Sequence, residues 1–296
     1  MSLAGIRIAF VAGDEREQES ARLAAAEGAE VTAYGFPWPE AGIEGVTLAA
    51  SAVEAMRGAR YALFPVPGIA ADGSLFAPAA PAPIVPDESL LRELAPGAHV
   101  ILGAANESLR AAAAAAGVAL HEYEHDEELM LLRGPAIVEG ALQEAIAHTR
   151  VTIHGSAVAV VGHGTIGSLL ARTLVLLGAR VTVVARNPVQ RAAAQAGGAE
   201  AVPLEALRDV AARSAMLFST VPAAVVGREA LAGMEPGSLA MDLAAPPGGV
   251  DLDAARKLGL VAVWARGLGR RAPVTVGASQ WQGIRKRIEA IEEGRE

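Results

Sequence analysis

The sequence predicts an α/β protein of two lobes, each a parallel sheet wound on both faces by helices, and three observations lead there. Short β-branched runs alternate with Ala/Leu/Glu-rich segments of helical length, the pattern of strands covered by crossover helices. A length of 296 residues fits two domains of ordinary size, each with its own core. The glycine-rich run Val160-Val161-Gly162-His163-Gly164-Thr165-Ile166-Gly167 opens the second half of the chain, so a separate block of alternating elements stands in front of it.

In the first half the expected strands are 7–11, 30–34, 61–65, 99–102 and 119–123, with helices near 15–27, 52–57, 88–94 and 108–116 between them. Five strands so interleaved make a flavodoxin-like lobe. Proline crowds 77–86 too densely for a helix or an interior strand, so this stretch is expected as a surface connection. A helix over 136–149 is expected to bridge the lobes, passing through Ile153-His154-Gly155 into a strand at 157–161. Strands at 180–184, 216–219, 239–242 and 261–264 then build a Rossmann lobe. A closing helix over 279–292 carries Trp281, Ile284, Ile288 and Ile291 at spacings of three and four, an apolar stripe that packs on a core. The expected division is 1–135, a bridging helix 136–150, a dinucleotide-binding domain 151–277, and 278–296 returning to the first lobe.

A net charge of −8 and the absence of any basic block argue against nucleic acid as the main partner. No apolar run reaches the ~18 residues of a membrane span, and no export signal is visible. With no cysteine there is no disulfide or thiolate chemistry, which agrees with a cytoplasmic address. A homo-oligomer is left open.

In the glycine loop, Gly162 permits the tight turn, Gly164 lets the backbone approach a pyrophosphate, and Gly167 lets helix and strand pack closely. The amides at Thr165 and Ile166 then open a helix toward the anion. A carboxylate about 20 residues beyond the last glycine would grip the ribose hydroxyls of NAD. The next strand ends instead in Ala185-Arg186-Asn187, and a guanidinium there suits a 2′-phosphate, so NADP is favoured over NAD. Thr220-Val221-Pro222 ends a strand at the same sheet edge and is expected on the nicotinamide side, and 242–249 is an irregular loop at the next strand end.

All six histidines lie at or before the glycine loop, which weighs against a 2-hydroxy-acid dehydrogenase with a late histidine base. Glu139 and His148 lie on the bridging helix nine positions apart, on nearly opposite faces, so each is a catalytic candidate singly rather than as a pair. On a strand His121, Tyr123 and His125 share one face while Glu122 and Glu124 share the other, so this run is read as a polar strand end, with no metal.

Several segments together carry a family likeness: Gly13-Asp14-Glu15-Arg16, Gly35-Phe36, Pro65-Val66-Pro67-Gly68, Asn106-Glu107-Ser108, and Val138-Glu139-Gly140 with His148-Thr149 and Thr152-Ile153-His154-Gly155-Ser156. With the glycine loop, Ala185-Arg186, Asp242-Leu243-Ala244, Pro247-Gly248-Gly249 and Ala272-Pro273, the chain resembles the dipicolinate synthase A subunit family over nearly its whole length. The resemblance implies a spore-former's enzyme that works with a B subunit, oxidising a dihydrodipicolinate-type small molecule to the aromatic dicarboxylate in a nicotinamide-linked step. Two substrate carboxylates would call for cations, and Arg133, Arg266, Arg270 and Arg271 are the candidates. The chain departs from the family pattern at Val274, where the family carries Lys. The rival readings are a 2-hydroxy-acid dehydrogenase-like enzyme and an NADP-binding partner subunit whose turnover has lapsed.

Overall fold

The computed structural model describes residues 2–70, 72–123 and 126–294. The chain forms two compact units, one of residues 1–133 with 272–296 and one of residues 134–271.

The first unit is built on β1 (Arg7–Val11), β2 (Glu30–Tyr34), β3 (Val46–Leu48), β4 (Tyr61–Leu63), β5 (His99–Leu102) and β6 (Ala119–Glu122). All are parallel, in the order β3-β2-β1-β4-β5-β6. Without β3, the five expected strands stand in the 2-1-3-4-5 order of a flavodoxin-like sheet. The added strand β3 has only three residues, none of them buried, so no apolar alternation marks it in the sequence. Helices α1 (Glu15–Ala26), α2 (Ala52–Met56), α3 (Glu88–Leu91) and α4 (Glu107–Ala116) start where Asp14, Ser51, Asp87 and Asn106 accept hydrogen bonds from first-turn amides. Strand parity divides the core. Ala9, Val11, Ala62, Val100 and Leu102 face α2, α3 and α4, while Ile8, Phe10, Val31, Tyr61, Leu63 and Ile101 face the other layer.

Helix α5 (Glu127–His148) begins nine residues before the sequence suggested and runs through Pro135. Proline removes one helical N–H, yet the helix continues on both sides of it. The division between the units falls within this helix.

The second unit alternates β7 (Ala157–Val161), α6 (Thr165–Leu176), β8 (Arg180–Val184), α7 (Pro188–Ala196), β9 (Glu200–Val202), α8 (Leu207–Ala212), β10 (Met216–Ser219), α9 (Arg228–Leu231), β11 (Leu239–Asp242), α10 (Leu252–Lys257) and β12 (Val261–Trp264). Its parallel sheet, β9-β8-β7-β10-β11-β12, has the 3-2-1-4-5-6 order of a Rossmann domain. Strand β9, like β3, is short and unburied and escaped the pattern.

Helix α11 (Pro273–Glu292) starts six residues before the expected 279, with Pro273 in the first turn, where its missing N–H costs nothing. It packs along α1 in the first unit. Ser20 Oγ donates to the Gly277 carbonyl at 2.9 Å, and Trp281 Nε1 donates to Glu27 Oε1 at 2.9 Å. The stripe Trp281, Ile284, Ile288 and Ile291 is buried in the same cluster as Ile8 and Phe10. Among the described residues, no helix is long and apolar enough to cross a membrane.

Candidate dinucleotide site

The carboxyl end of β7 passes straight into the glycine loop. Gly162 has φ +92°, and a Cβ there would meet Thr220 Oγ1 and the Val221 side chain, each at 2.7 Å. A Cβ on Gly167 would run into the Gly162 carbonyl, so the turn closes only with hydrogen at both positions. The N-cap of α6 is Gly164, which brings no side-chain acceptor, so the first-turn amides of Thr165 and Ile166 stay available to an anion.

Beside this loop lies a cavity of about 350 Å³, lined by Val161, Gly162, Val184, Ala185, Arg186, Asn187, Gln190, Leu204, Val221, Ala223 and Val225. Among the described residues no carboxylate lines it. Arg191 Nη1 donates to the carbonyls of Ala185 (2.9 Å) and Arg186 (2.7 Å), holding the backbone from which the exposed Arg186 side chain projects. Asn187 caps α7 by accepting from Val189 N at 2.8 Å. Thr220 Oγ1 donates to the Val161 carbonyl at 3.2 Å, Val221 lines the cavity, and Pro222 is exposed and does not. Burial lowers the pKa of His163, which lines a shallow groove with Ser168 and Arg172.

A larger depression, about 640 Å³, lies in the first unit against β2. Most of its polar groups already have partners: Arg7 pairs with Glu30 at 3.0 Å, Thr32 donates to the Ala55 carbonyl, Glu54 accepts from Ala50 N, and Arg57 pairs with Glu93. The loop cavity, bounded by Gly162 of the glycine turn and by a projecting cation, is the better ligand site, and Gly164, Thr165, Ile166 and Gly167 lie outside its lining.

The remaining candidates are spread over both units. Glu139 forms an ion pair with Arg271 in the second unit, so these two residues, read separately in the sequence, meet each other. Gly140 lies against Leu268 beside that pair. Arg270 packs over Gly267, and Arg266 stacks 5.3 Å from the Trp264 ring centroid. His148 is occupied within its own helix turn, with Nδ1 2.9 Å from the Glu144 carbonyl. Arg133 Nε approaches Met130 Sδ at 3.5 Å in the first unit. His121 Nε2 lies 3.1 Å from His99 Nδ1, and burial, then the His121 charge, lowers the pKa of His99. Glu122 pairs with Arg110. Glu124 and His125, part of the polar run, lie outside the described residues. Among the described residues no group of three or more His, Asp or Glu could hold a metal ion.

Sequence reasoning missed a buried charged nest after β1. Arg16, 8% exposed, holds both Asp14 oxygens at 2.7 and 2.9 Å. Glu17, 2% exposed, accepts from Asp14 N at 2.7 Å and from Gln280 Nε2 at 3.2 Å. Burial pushes Glu17 up to about 7, and burial, with Glu17 nearby, raises Tyr123. The available signal was the Asp-x-x-Glu spacing of a capping box.

Comparison with known proteins adds the family. Residues 7–124 match the N-terminal domain of the dipicolinate synthase A subunit, and residues 136–244 match the NAD binding domain of D-isomer specific 2-hydroxyacid dehydrogenases. The second unit is therefore a nicotinamide-dinucleotide domain of oxidoreductase type. The dipicolinate synthase A subunit of Bacillus subtilis (strain 168) is 30% identical over 276 residues, 93% of each chain. The crystal structure of that A subunit from Bacillus subtilis superposes with a TM-score of 0.87 at 28% identity, covering 99% of this chain and 98% of that one. The A subunit from Bacillus halodurans gives 0.89 at 28% identity, covering 97% and 98%. With a glycine-loop site in a Rossmann unit and a relative of this identity along nearly its full length, the chain belongs to the dipicolinate synthase A subunit family.

Proposed function

We infer that this protein is an NADP-linked oxidoreductase that forms dipicolinate from a dihydrodipicolinate-level ring, acting with a B subunit. The observation that carries the coenzyme choice is Arg186, which projects at the rim of a cavity that no carboxylate lines. A carboxylate at that place would bond the ribose hydroxyls of NAD and repel a 2′-phosphate, whereas a guanidinium bonds the phosphate in a fork.

The chemistry asked of the chain is modest. Bound NADP⁺ would supply the acceptor for one hydride of the dihydro ring, and with one ring proton lost to the protein or to water the products would be the aromatic dicarboxylate and NADPH. Aromatisation supplies the driving force, so the residues need chiefly to position the ring and to receive a proton. Arg133, Arg266, Arg270 and Arg271 are the cations proposed for the carboxylates. The Glu139–Arg271 pair gives Glu139 a definite part, holding that guanidinium in place. Glu139 and His148 remain the proton acceptors proposed, each with a partner, Glu139 with Arg271 and His148 with the Glu144 carbonyl.

The test is coenzyme affinity by calorimetry. Arg186→Asp is expected to weaken NADPH by about 2 kcal/mol or more, the scale of a charge-assisted hydrogen bond, and to leave NADH within a few-fold. Equal losses for both coenzymes would overturn the assignment. NADPH binding with no turnover of the dihydro ring, even with a B subunit present, would select the lapsed partner subunit instead.

A further inference from the structure

We propose that Asp242 is a positioning residue for the dinucleotide, acting on the cavity wall through Gly249 without touching the ligand. The proposal rests on the dinucleotide reading of the glycine-loop cavity.

Asp242 is the last residue of β11 and is 1% exposed. Its carboxylate accepts three backbone hydrogen bonds, from Ala244 N at 2.9 Å, Gly249 N at 2.6 Å and Val250 N at 3.0 Å. The loop after β11 therefore curls back onto the strand that starts it. Gly249 passes this restraint on, because its carbonyl accepts from Val225 N at 3.2 Å and Val226 N at 2.8 Å. Val225, with Val221 and Ala223, lines the cavity. Gly249 also lies against the Val221 carbonyl and the Ser219 hydroxyl, so closely that a Cβ would displace them. Two points on the wall, Val221 and Val225, are thus set by one glycine, and that glycine is set by one carboxylate. From the other side, Trp264 Nε1 donates to the Ala244 carbonyl at 3.0 Å and keeps the near end of the loop in place.

A carboxylate suits this position because both oxygens accept. An asparagine offers one acceptor oxygen and turns an NH₂ toward amides that need acceptors, so Asp242→Asn must break part of the set. Gly249→Ala moves the same wall by steric push and leaves Asp242 intact.

The experiment measures binding of NADPH, and of 2′,5′-ADP as its adenosine half, by calorimetry to wild type, Asp242→Asn and Gly249→Ala. A core truncation in the other cluster of the same unit, Leu174→Ala, serves as a destabilised control, since that cluster holds none of Val221, Ala223 and Val225. Both loop variants are expected to lose at least tenfold for both probes. The emission maximum of bound NADPH is expected to lie nearer that of free coenzyme in both, while the control stays within twofold and keeps the wild-type emission. Loop variants that bind within twofold, or a control that loses as much, would overturn the positioning role. Wild-type protein that binds neither probe would overturn the dinucleotide reading and, with it, this proposal. Should Asp242→Asn fail to fold, Asp242→Glu, which keeps both acceptor oxygens but displaces them from the loop amides, is measured in its place with the same outcomes.

Discussion

Glu17 shows how one residue's burial becomes a pH dependence. Its carboxyl is enclosed by Asp14 and Arg16 on its own segment, by Gln280 on α11, and by Tyr123, which in turn feels Arg133 and Arg287. Burial raises it to about 7, above the value of about 4.3 expected in the unfolded chain. A raised acid stabilises the fold relative to an ordinary carboxyl only while protonated. That contribution is full below about pH 4 and is lost as pH rises through 7, on the order of 3 kcal/mol across the window. Glu17→Gln is expected to remove it, so the difference in unfolding free energy between wild type and variant should slope between about pH 5 and 7. A flat difference would show that Glu17 titrates normally. Gln280 Oε1 is buried without a partner, and turning the amide over lets a protonated Glu17 donate to it. At this scale Arg186 was legible because it follows a strand end beside the glycine loop, and it lines the loop cavity. Glu139 was legible as a candidate on a helix but not as the partner of Arg271, since that pairing joins positions far apart in the chain.

The strands followed the apolar pattern where they were buried and departed from it where they were short. Strands β3 and β9 have three residues each, none buried, and depend on hydrogen bonding to a neighbouring strand rather than on an apolar face. The stripe on α11 was readable from spacing alone, but its seat on α1 was set by contacts such as Ser20 to Gly277 and Trp281 to Glu27. Trp281 is 3% exposed, with its ring centroid 6.4 Å from that of Phe10. Trp281→Ala is expected to cost about 3–5 kcal/mol through the cavity it leaves and the lost bond to Glu27, measured by denaturant unfolding. A loss below about 1 kcal/mol would mean that α11 contributes little to the first unit.

Across the molecule, each unit has its own sheet and its own cores, and the glycine-loop cavity belongs wholly to the second. A ligand that binds only the native second unit stabilises that unit by mass action, about 2.7 kcal/mol at a hundredfold excess over Kd. In calorimetric unfolding, saturating NADPH is therefore expected to raise the transition of the second unit, and Trp281→Ala to lower that of the first. A single transition that moves with both perturbations would show the units to unfold as one. The sequence by itself determined the two parallel-sheet units, the glycine loop and the cation at its rim, because strand burial, turn glycines and loop position are local properties of consecutive residues. Only the tertiary structure decided that Asp242 commands the cavity wall, that Arg271 answers Glu139 and that Glu17 is enclosed beneath α11. Each of these depends on residues distant in the chain being brought within hydrogen-bond reach and cut off from water, and spacing along the chain does not encode such a meeting.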